Sequence, residues 1–279
     1  MRDIRLIALD LDGTLLDSEK RLSDQNAYEL ERAAKAGIEI VPATGRFYRG
    51  MPELIRDLPY VRYVISVNGA EVWDAKEGKA VCGSELSCAQ AVAVMERLDT
   101  LPVIYDCYQD GWGWMTKEFY DHAAEFAANK HSLDMILRLR TPVPELKTHL
   151  LKLGRGVQKV QAFFRDMDLR AEMLKKLPEE FPDMTVTTSI PNNMEFNSLE
   201  ATKGNALTAL AALLGLDVSE TMAFGDDFND VSMLRAAGIG VAMGNAAPEV
   251  KEAADHVTGD CDHSGVAKAV RRLLWEENA

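Results

Sequence analysis

Apolar and polar positions along the chain follow two rhythms. The first opens with a nearly continuous apolar run, Ile4-Arg5-Leu6-Ile7-Ala8-Leu9, that stops at Asp10-Leu11-Asp12-Gly13-Thr14. A run this apolar suits a strand buried on both faces of a parallel sheet rather than a half-solvated one. Ser23 then caps a helical stripe of Ala27, Leu30, Ala33 and Ala34, which Gly37 stops. Ile38 to Ala43 predicts a second strand ending at Thr44-Gly45-Arg46. A helix around Met51 to Leu58 leads to a third strand, Tyr63 to Val67, ending at Asn68-Gly69-Ala70. Strand, helix and parallel strand form a crossover unit, so these strand ends share one carboxyl edge. Ligands of open α/β sheets bind beyond that edge.

From about Ser84 to Ile190 the rhythm changes and aromatic residues thicken, including Tyr105, Tyr108, Trp112, Trp114, Phe119 and Phe163. Helices are predicted at Cys88 to Leu98, Lys117 to Ala127, Pro144 to Lys152 and Asp168 to Leu177, with strands near Pro102 to Tyr108, Val157 to Phe164 and Met184 to Ser189. Asp110-Gly111-Trp112-Gly113 reads as a hairpin tip. This stretch is taken as an inserted α+β domain, residues 84–190, with Met194-Glu195-Phe196-Asn197 returning the chain to the first domain, 1–83 and 191–279. The first rhythm then resumes. Thr202-Lys203-Gly204-Asn205 opens an Ala/Leu helix, and Glu220 to Phe224 predicts a strand followed by Gly225-Asp226-Asp227-Phe228-Asn229-Asp230. Gly240 to Met243 predicts another strand with the loop Gly244-Asn245-Ala246 after it.

Composition narrows the function classes. The 279 residues are 47% hydrophobic and 27% charged, which suits a globular protein with a sizeable core. A net charge of -13 argues against binding to nucleic acid or an anionic membrane, so an anionic substrate needs local help from a metal or aimed amides. The amino end carries no secretory pattern and no stretch reaches membrane-span length. Cys82, Cys88, Cys107 and Cys261 lack the short paired spacing of a metal or redox motif, and the five histidines lack a zinc spacing. Reduced thiols in a cytoplasmic protein are the expectation.

Four fragments fall on the same predicted edge: Asp10 with Asp12, Thr44 with Gly45, Lys203, and Asp226 with Asn229 and Asp230. Side chains at i and i+2 share a face of an extended strand, so Asp10 and Asp12 would repel unless a cation relieved them. Carboxylates with few nitrogen or sulfur neighbours suit Mg²⁺. A threonine hydroxyl, a glycine amide, a lysine ammonium and an asparagine amide are donors fit for phosphate oxygens. The set has both halves of a phosphoryl-transfer site, with a carboxylate nucleophile and a carboxyl group for proton transfer. Each member also has a plainer reading. Asp-Gly is a common turn, Thr44 fits a helix cap, Lys203 a solvated first-turn lysine and Asn229 a turn residue. Trp112 and Trp114, at alternate positions on one side of a hairpin, suit packing against helices or closure over a substrate.

Taken in order, Asp10-Leu11-Asp12-Gly13-Thr14, Thr44-Gly45-Arg46, Lys203-Gly204 and Gly225-Asp226-Asp227-Phe228-Asn229-Asp230 resemble the four motifs of the haloacid dehalogenase superfamily. The insert between the second and third motifs, Asn68-Gly69-Ala70, and the tail Ala242-Met243-Gly244-Asn245-Ala246 are similar to its Cof-type, class IIB sugar-phosphatase branch. The resemblance implies an α/β fold: a Rossmann-like doubly wound parallel sheet with a C2-type cap that selects the substrate. It further implies a Mg²⁺-dependent phosphatase of small phosphorylated metabolites. Asp10 would attack phosphorus to form an aspartyl-phosphate, and Asp12 would protonate the leaving alkoxide and then activate water. Asp10, the Asp12 carbonyl and Asp226 would hold Mg²⁺, with Asp230 nearby, directly or through water. Thr44, Gly45 and Lys203 would hold phosphate oxygens, and Asn229 would orient the phosphate or Lys203. A phosphomutase shares this chemistry. A phosphate-sensing module of the response-regulator type gathers similar groups, but its phosphorylated aspartate ends a central strand in a shorter chain without a large insert.

Overall fold

A computed structural model describes residues 3–276. The chain forms two compact units, one of residues 1–83 with 201–279 and one of residues 84–200. The first unit begins with β1 (Leu6–Leu9) and β2 (Glu39–Pro42), joined by the helix Asp24–Lys35. Ser23 caps that helix by accepting a hydrogen bond from the Asn26 amide, as its side-chain oxygen is suited to do. β3 (Tyr63–Ser66), β4 (Glu71–Asp74) and β5 (Lys79–Cys82) form an antiparallel meander, tied to the end of β2 by a parallel bridge between Ala43 and Ile65.

The second unit contains β6 (Val103–Gln109), β7 (Trp112–Thr116), β8 (Arg140–Val143), β9 (Lys159–Phe164), β10 (Met184–Thr187) and β11 (Asn193–Ser198) in one sheet of order β10-β11-β9-β6-β7-β8. One face carries Tyr105, Cys107, Val160, Ala162, Phe164, Met194 and Phe196 in a hydrophobic cluster with residues of the helices Cys88–Leu98, Leu146–Leu153 and Met167–Glu180. The alternate positions of the same strands carry Asp106, Tyr108, Lys159, Gln161 and Glu195, as the two-residue period of a strand requires. Trp114 packs against the apolar cluster, with its ring 4.8 Å from that of His149, so packing is its observed role. Trp112 donates its indole N–H to Thr141.

Two expectations change here. The boundary at 190/191 is incorrect, because the chain re-enters the first unit at Ala201. Met194-Glu195-Phe196-Asn197 lies within β11, paired antiparallel with β9 and β10. Its apolar residues line the helix-covered face and its polar ones the other, the pattern of a strand buried in this sheet. The helix expected over Lys117 to Ala127 is split at His122 into Lys117–Asp121 and Ala123–Phe126. The hairpin tip lies at Asp110 and Gly111, both at positive φ, as a two-residue hairpin turn demands.

After Ala201 come the helix Lys203–Leu213, β12 (Thr221–Gly225), β13 (Ile239–Ala242) and β14 (His256–Val257). The parallel sheet has the order β14-β13-β12-β1-β2. Ile7, Leu9, Phe224 and Val241 face one cluster, shared with Leu30, Val266 and Val270. Leu6, Ala8, Val41, Ala223 and Ala242 face the other, shared with Leu207, Leu210 and Leu234. Helices on both faces explain why β1 has no polar side. Among the described residues no helix is long and apolar enough to cross a membrane.

Candidate active site

Strand register brings the fragments together. Leu9 lies opposite Pro42 on one side and Phe224 on the other, so the chain just beyond these residues supplies Asp10, Thr44 and Asp226 to one edge. Asp10 is buried at the end of β1, and its amide donates to the Phe224 carbonyl. Lys203 begins its helix behind the Thr202 cap, with its side chain fully buried. Its Nζ lies 2.6 Å from Asp10 Oδ1 and 2.6 Å from Asp230 Oδ1. The other Asp230 oxygen accepts from the amides of Asp226 and Asp227 at 3.0 and 3.1 Å. Asp230 therefore fastens the loop after β12 to Lys203.

Asp226 is oriented from two sides. Thr14 Oγ1 donates to its Oδ1 at 2.7 Å, and Asn245 Nδ2 donates to its Oδ2 at 3.2 Å and to the Gly13 carbonyl at 2.9 Å. Gly13 has φ +91° and a Cβ there would meet Asp226 Oδ2 at 2.3 Å, so only glycine lets this carboxylate approach. Oxygen atoms of Asp10, Asp226 and Asp230 lie within 4.8 Å of one another.

The buried Lys203 ammonium is bonded to Asp10 and Asp230 with Asp226 beside them, and the imbalance of charge shows in the titration of Asp10 and Asp226. Burial pushes the Asp10 carboxyl up to about 7 although Lys203 opposes it, with Asp230 and Asp226 adding repulsion. Burial likewise raises Asp226 to about 6 against the Thr14 hydrogen bond, with Asp230 contributing repulsion. For Lys203 burial favours the neutral amine, but the Asp10 and Asp230 charges outweigh it and hold the ammonium protonated. The donors are all oxygen and the surplus charge is negative, which fits a hard divalent cation.

Asp12 behaves differently. Its carboxylate is outside the three-carboxylate group and is bracketed by Lys20 Nζ, 2.8 Å from Oδ1, and Arg46, whose Nε and Nη2 lie 3.1 and 3.0 Å from Oδ2. Burial alone would raise its pKa, but the Lys20 hydrogen bond and the Arg46 charge hold it below its ordinary value.

Thr44 is buried, and its hydroxyl oxygen accepts from the Arg46 amide at 3.2 Å. Gly45 lies against Asn68, whose Oδ1 would be 3.1 Å from an added Cβ. Asn68 Oδ1 also accepts from Asn229 Nδ2 at 3.0 Å, joining the loops after β3 and β12. Asn229 thus meets Asn68 here. Thr14, Lys20, Asn68 and Asn245 were not assigned site roles from sequence. For Asn68 and Asn245 a usable signal existed, because each adjoins a glycine just beyond a predicted strand.

With this geometry in hand, comparison with known proteins decides the lineage: the haloacid dehalogenase-like hydrolase family matches residues 7–270. The chain belongs to the haloacid dehalogenase-like hydrolases. It is similar to the Bacillus subtilis (strain 168) protein named 5-amino-6-(5-phospho-D-ribitylamino)uracil phosphatase YcsE, with 34% identity over 98% of this chain and 96% of that one. It is 32% identical to Phosphatase YwpJ of the same organism, over 97% of this chain and 100% of the relative. A solved haloacid dehalogenase-like hydrolase from B. subtilis shares 31% identity with a TM-score of 0.75, covering 97% of this chain and 100% of that one. This haloacid dehalogenase-like protein is an enzyme of the phosphatase class, with a Rossmann-like core and an inserted unit of the Cof type built on a largely antiparallel sheet.

Proposed function

We propose that the protein is a Mg²⁺-dependent phosphatase that hydrolyses small phosphorylated metabolites, sugar phosphates or similar, through an aspartyl-phosphate on Asp10. The observation that carries this reading is the group of buried Asp10, half-buried Asp226 and buried Asp230, with the Lys203 ammonium bonded to Asp10 and Asp230. Asp10 and Asp226, with the Asp12 main-chain carbonyl, would hold Mg²⁺, which when bound neutralises charge on the phosphoryl oxygens. Asp230 has both oxygens engaged within the protein, which favours a water-mediated place for it.

In the first step an Asp10 carboxylate oxygen attacks phosphorus, the bond to the substrate oxygen breaks, and Asp12 delivers a proton to the departing alkoxide. In the second, water attacks the aspartyl-phosphate while Asp12 takes its proton, which releases inorganic phosphate and restores Asp10. Lys203 offsets phosphoryl charge, and the Thr44 hydroxyl and Gly45 amide donate to phosphate oxygens. Asn229, paired with Asn68, shapes the same rim. Selection of the non-phosphate part is assigned to the unit of residues 84–200, whose sheet has one face rich in polar residues. A cytoplasmic setting agrees with four free cysteines.

The test is a panel of phosphorylated metabolites incubated with chelator-treated protein, with and without added Mg²⁺. Metal-dependent release of inorganic phosphate is expected. Isomerised sugar phosphate without release would make it a phosphomutase, and a stable phosphoprotein without turnover would make it a phosphate-sensing module.

A further inference from the structure

The stretch between β1 and its following helix closes a tight turn around Asp17. The Asp17 amide donates to the Arg21 carbonyl and the Lys20 amide to the Asp17 carbonyl. Asp17 Oδ1 accepts from the amides of Glu19 and Arg21 at 2.9 and 2.8 Å, and the Ser18 amide is tied to Asp262 Oδ1 at 2.8 Å. Inside this turn Lys20 has φ 62°. A left-handed backbone suits glycine or asparagine, and a longer side chain there is disfavoured. The lysine side chain is 57% exposed, so its ion pair with Asp12 contributes little to stability. Neither folding nor packing explains a lysine at this position, and an outlier held in a functional loop points towards function.

Its geometry on Asp12 supplies the explanation. Arg46 Nε and Nη2 lie 3.1 and 3.0 Å from Asp12 Oδ2, and Nη2 also donates to Oδ1 at 3.2 Å. These bonds all come from one guanidinium and the one to Oδ1 is the longest, so Oδ1 keeps some freedom about the last torsion, which is broad and two-fold for aspartate. Lys20 Nζ holds Oδ1 at 2.8 Å and removes that freedom.

We infer that Lys20 is a positioning residue for Asp12, acting from a left-handed turn to hold the carboxylate oxygen that Arg46 reaches only through its longest hydrogen bond. This rests on the acid/base reading of Asp12. Proton delivery to a leaving oxygen depends on a donor held in line with it, so Lys20 matters most where the leaving group departs only with a proton.

The experiment compares kcat/KM, with Mg²⁺, for para-nitrophenyl phosphate and unsubstituted phenyl phosphate. These are near in size, but the phenoxide is the poorer leaving group. Lys20→Ala and Lys20→Gly are expected to lose about tenfold on phenyl phosphate and much less on the nitrophenyl ester. Inhibition by inorganic phosphate should be unchanged, and Lys20→Arg should restore most of the rate. Lys20→Gly also relieves the turn, so its melting temperature should not fall while its activity does. Equal losses on both esters, weaker inhibition by phosphate, or full activity would overturn the assignment. Asp12→Asn is measured alongside. Should it show the leaving-group dependence while the Lys20 variants do not, only the role of Lys20 fails; should it show none, the acid role of Asp12 fails first.

Discussion

Both units bury charged side chains, but they balance them differently. In the second unit Asp106 Oδ2 faces Arg140 Nε at 2.7 Å and Glu195 Oε1 faces Lys159 Nζ at 2.9 Å, all four being buried. Here each carboxylate has its own cation, and Tyr108 lies between the pairs, bonded to Arg140 and under the Lys159 ammonium. In the first unit Lys203 is bonded to both Asp10 and Asp230, and the Asp226 carboxylate lies in the same group. Pairing outweighs desolvation for Glu195, although burial still raises the Asp106 carboxyl against Arg140, whereas an unmatched cluster stays ionised at neutral pH only if something else brings positive charge. Charge balance thus separates a network that maintains structure from one prepared for a ligand.

The sharpest way to break this contrast is Asp10→Asn. It is expected to lower phosphate release by at least about a thousandfold, as loss of a nucleophile does. In the metal-free protein the same change should raise the melting temperature, because it removes part of the surplus charge. Near-normal turnover by the folded variant would remove Asp10 as nucleophile. Glu195→Gln tests the other unit, since it strands the buried Lys159 and should cost about 3 kcal/mol in urea unfolding. An unchanged midpoint would mean that the second network is not structural.

The pH dependence carried by Glu195 should differ in sign from that of Asp10 and Asp226. Asp10 and Asp226 are raised to about 7 and about 6. The folded protein therefore binds protons more tightly at these sites than the unfolded chain. Metal-free stability should fall as pH rises from about 4 towards 7, and less steeply in Asp10→Asn. Saturating Mg²⁺ should flatten this slope by favouring the charged forms. In Glu195, burial opposes ionisation, but Lys159 and the hydrogen bonds from Ser189 and Asn193 outweigh it and hold the pKa low. Its contribution is present above an unfolded value of about 4.3 and is lost as pH falls below it. Urea unfolding across pH of wild type and both variants checks the two windows.

The smallest expected change is Thr14→Val, which removes the hydroxyl orienting Asp226. Mg²⁺ titration of activity should show half-saturation at a roughly 10–100-fold higher metal concentration, with kcat at saturation largely kept. An unchanged titration would exclude Asp226 as a ligand that Thr14 orients.

Much of the first unit was legible in the sequence because its signals are local. The uniform apolarity of Leu6 to Leu9 encodes a strand covered on both faces, Ser23 and Gly37 bracket a helix, and glycine-rich loops mark where strands end. Those loops carry Asp10, Thr44, Lys203, Asp226 and Asp230. In the second unit Met194 to Asn197 alternates apolar and polar positions as clearly as any strand, yet its partners, β9 and β10, are set by pairing and not by its own residues. Hence the boundary was misplaced.

Sequence by itself determined which chemical groups reach the carboxyl edge of the parallel sheet, since strand ends and turn residues are fixed within a few positions of the chain. Only the tertiary structure decided how those groups share charge. Asp10 and Asp12 are two residues apart, yet one is buried against Lys203 and the other is bracketed by Lys20 and Arg46. Their difference comes from loops brought together by the sheet register, and the electrostatic environment of a carboxylate depends on distances in space.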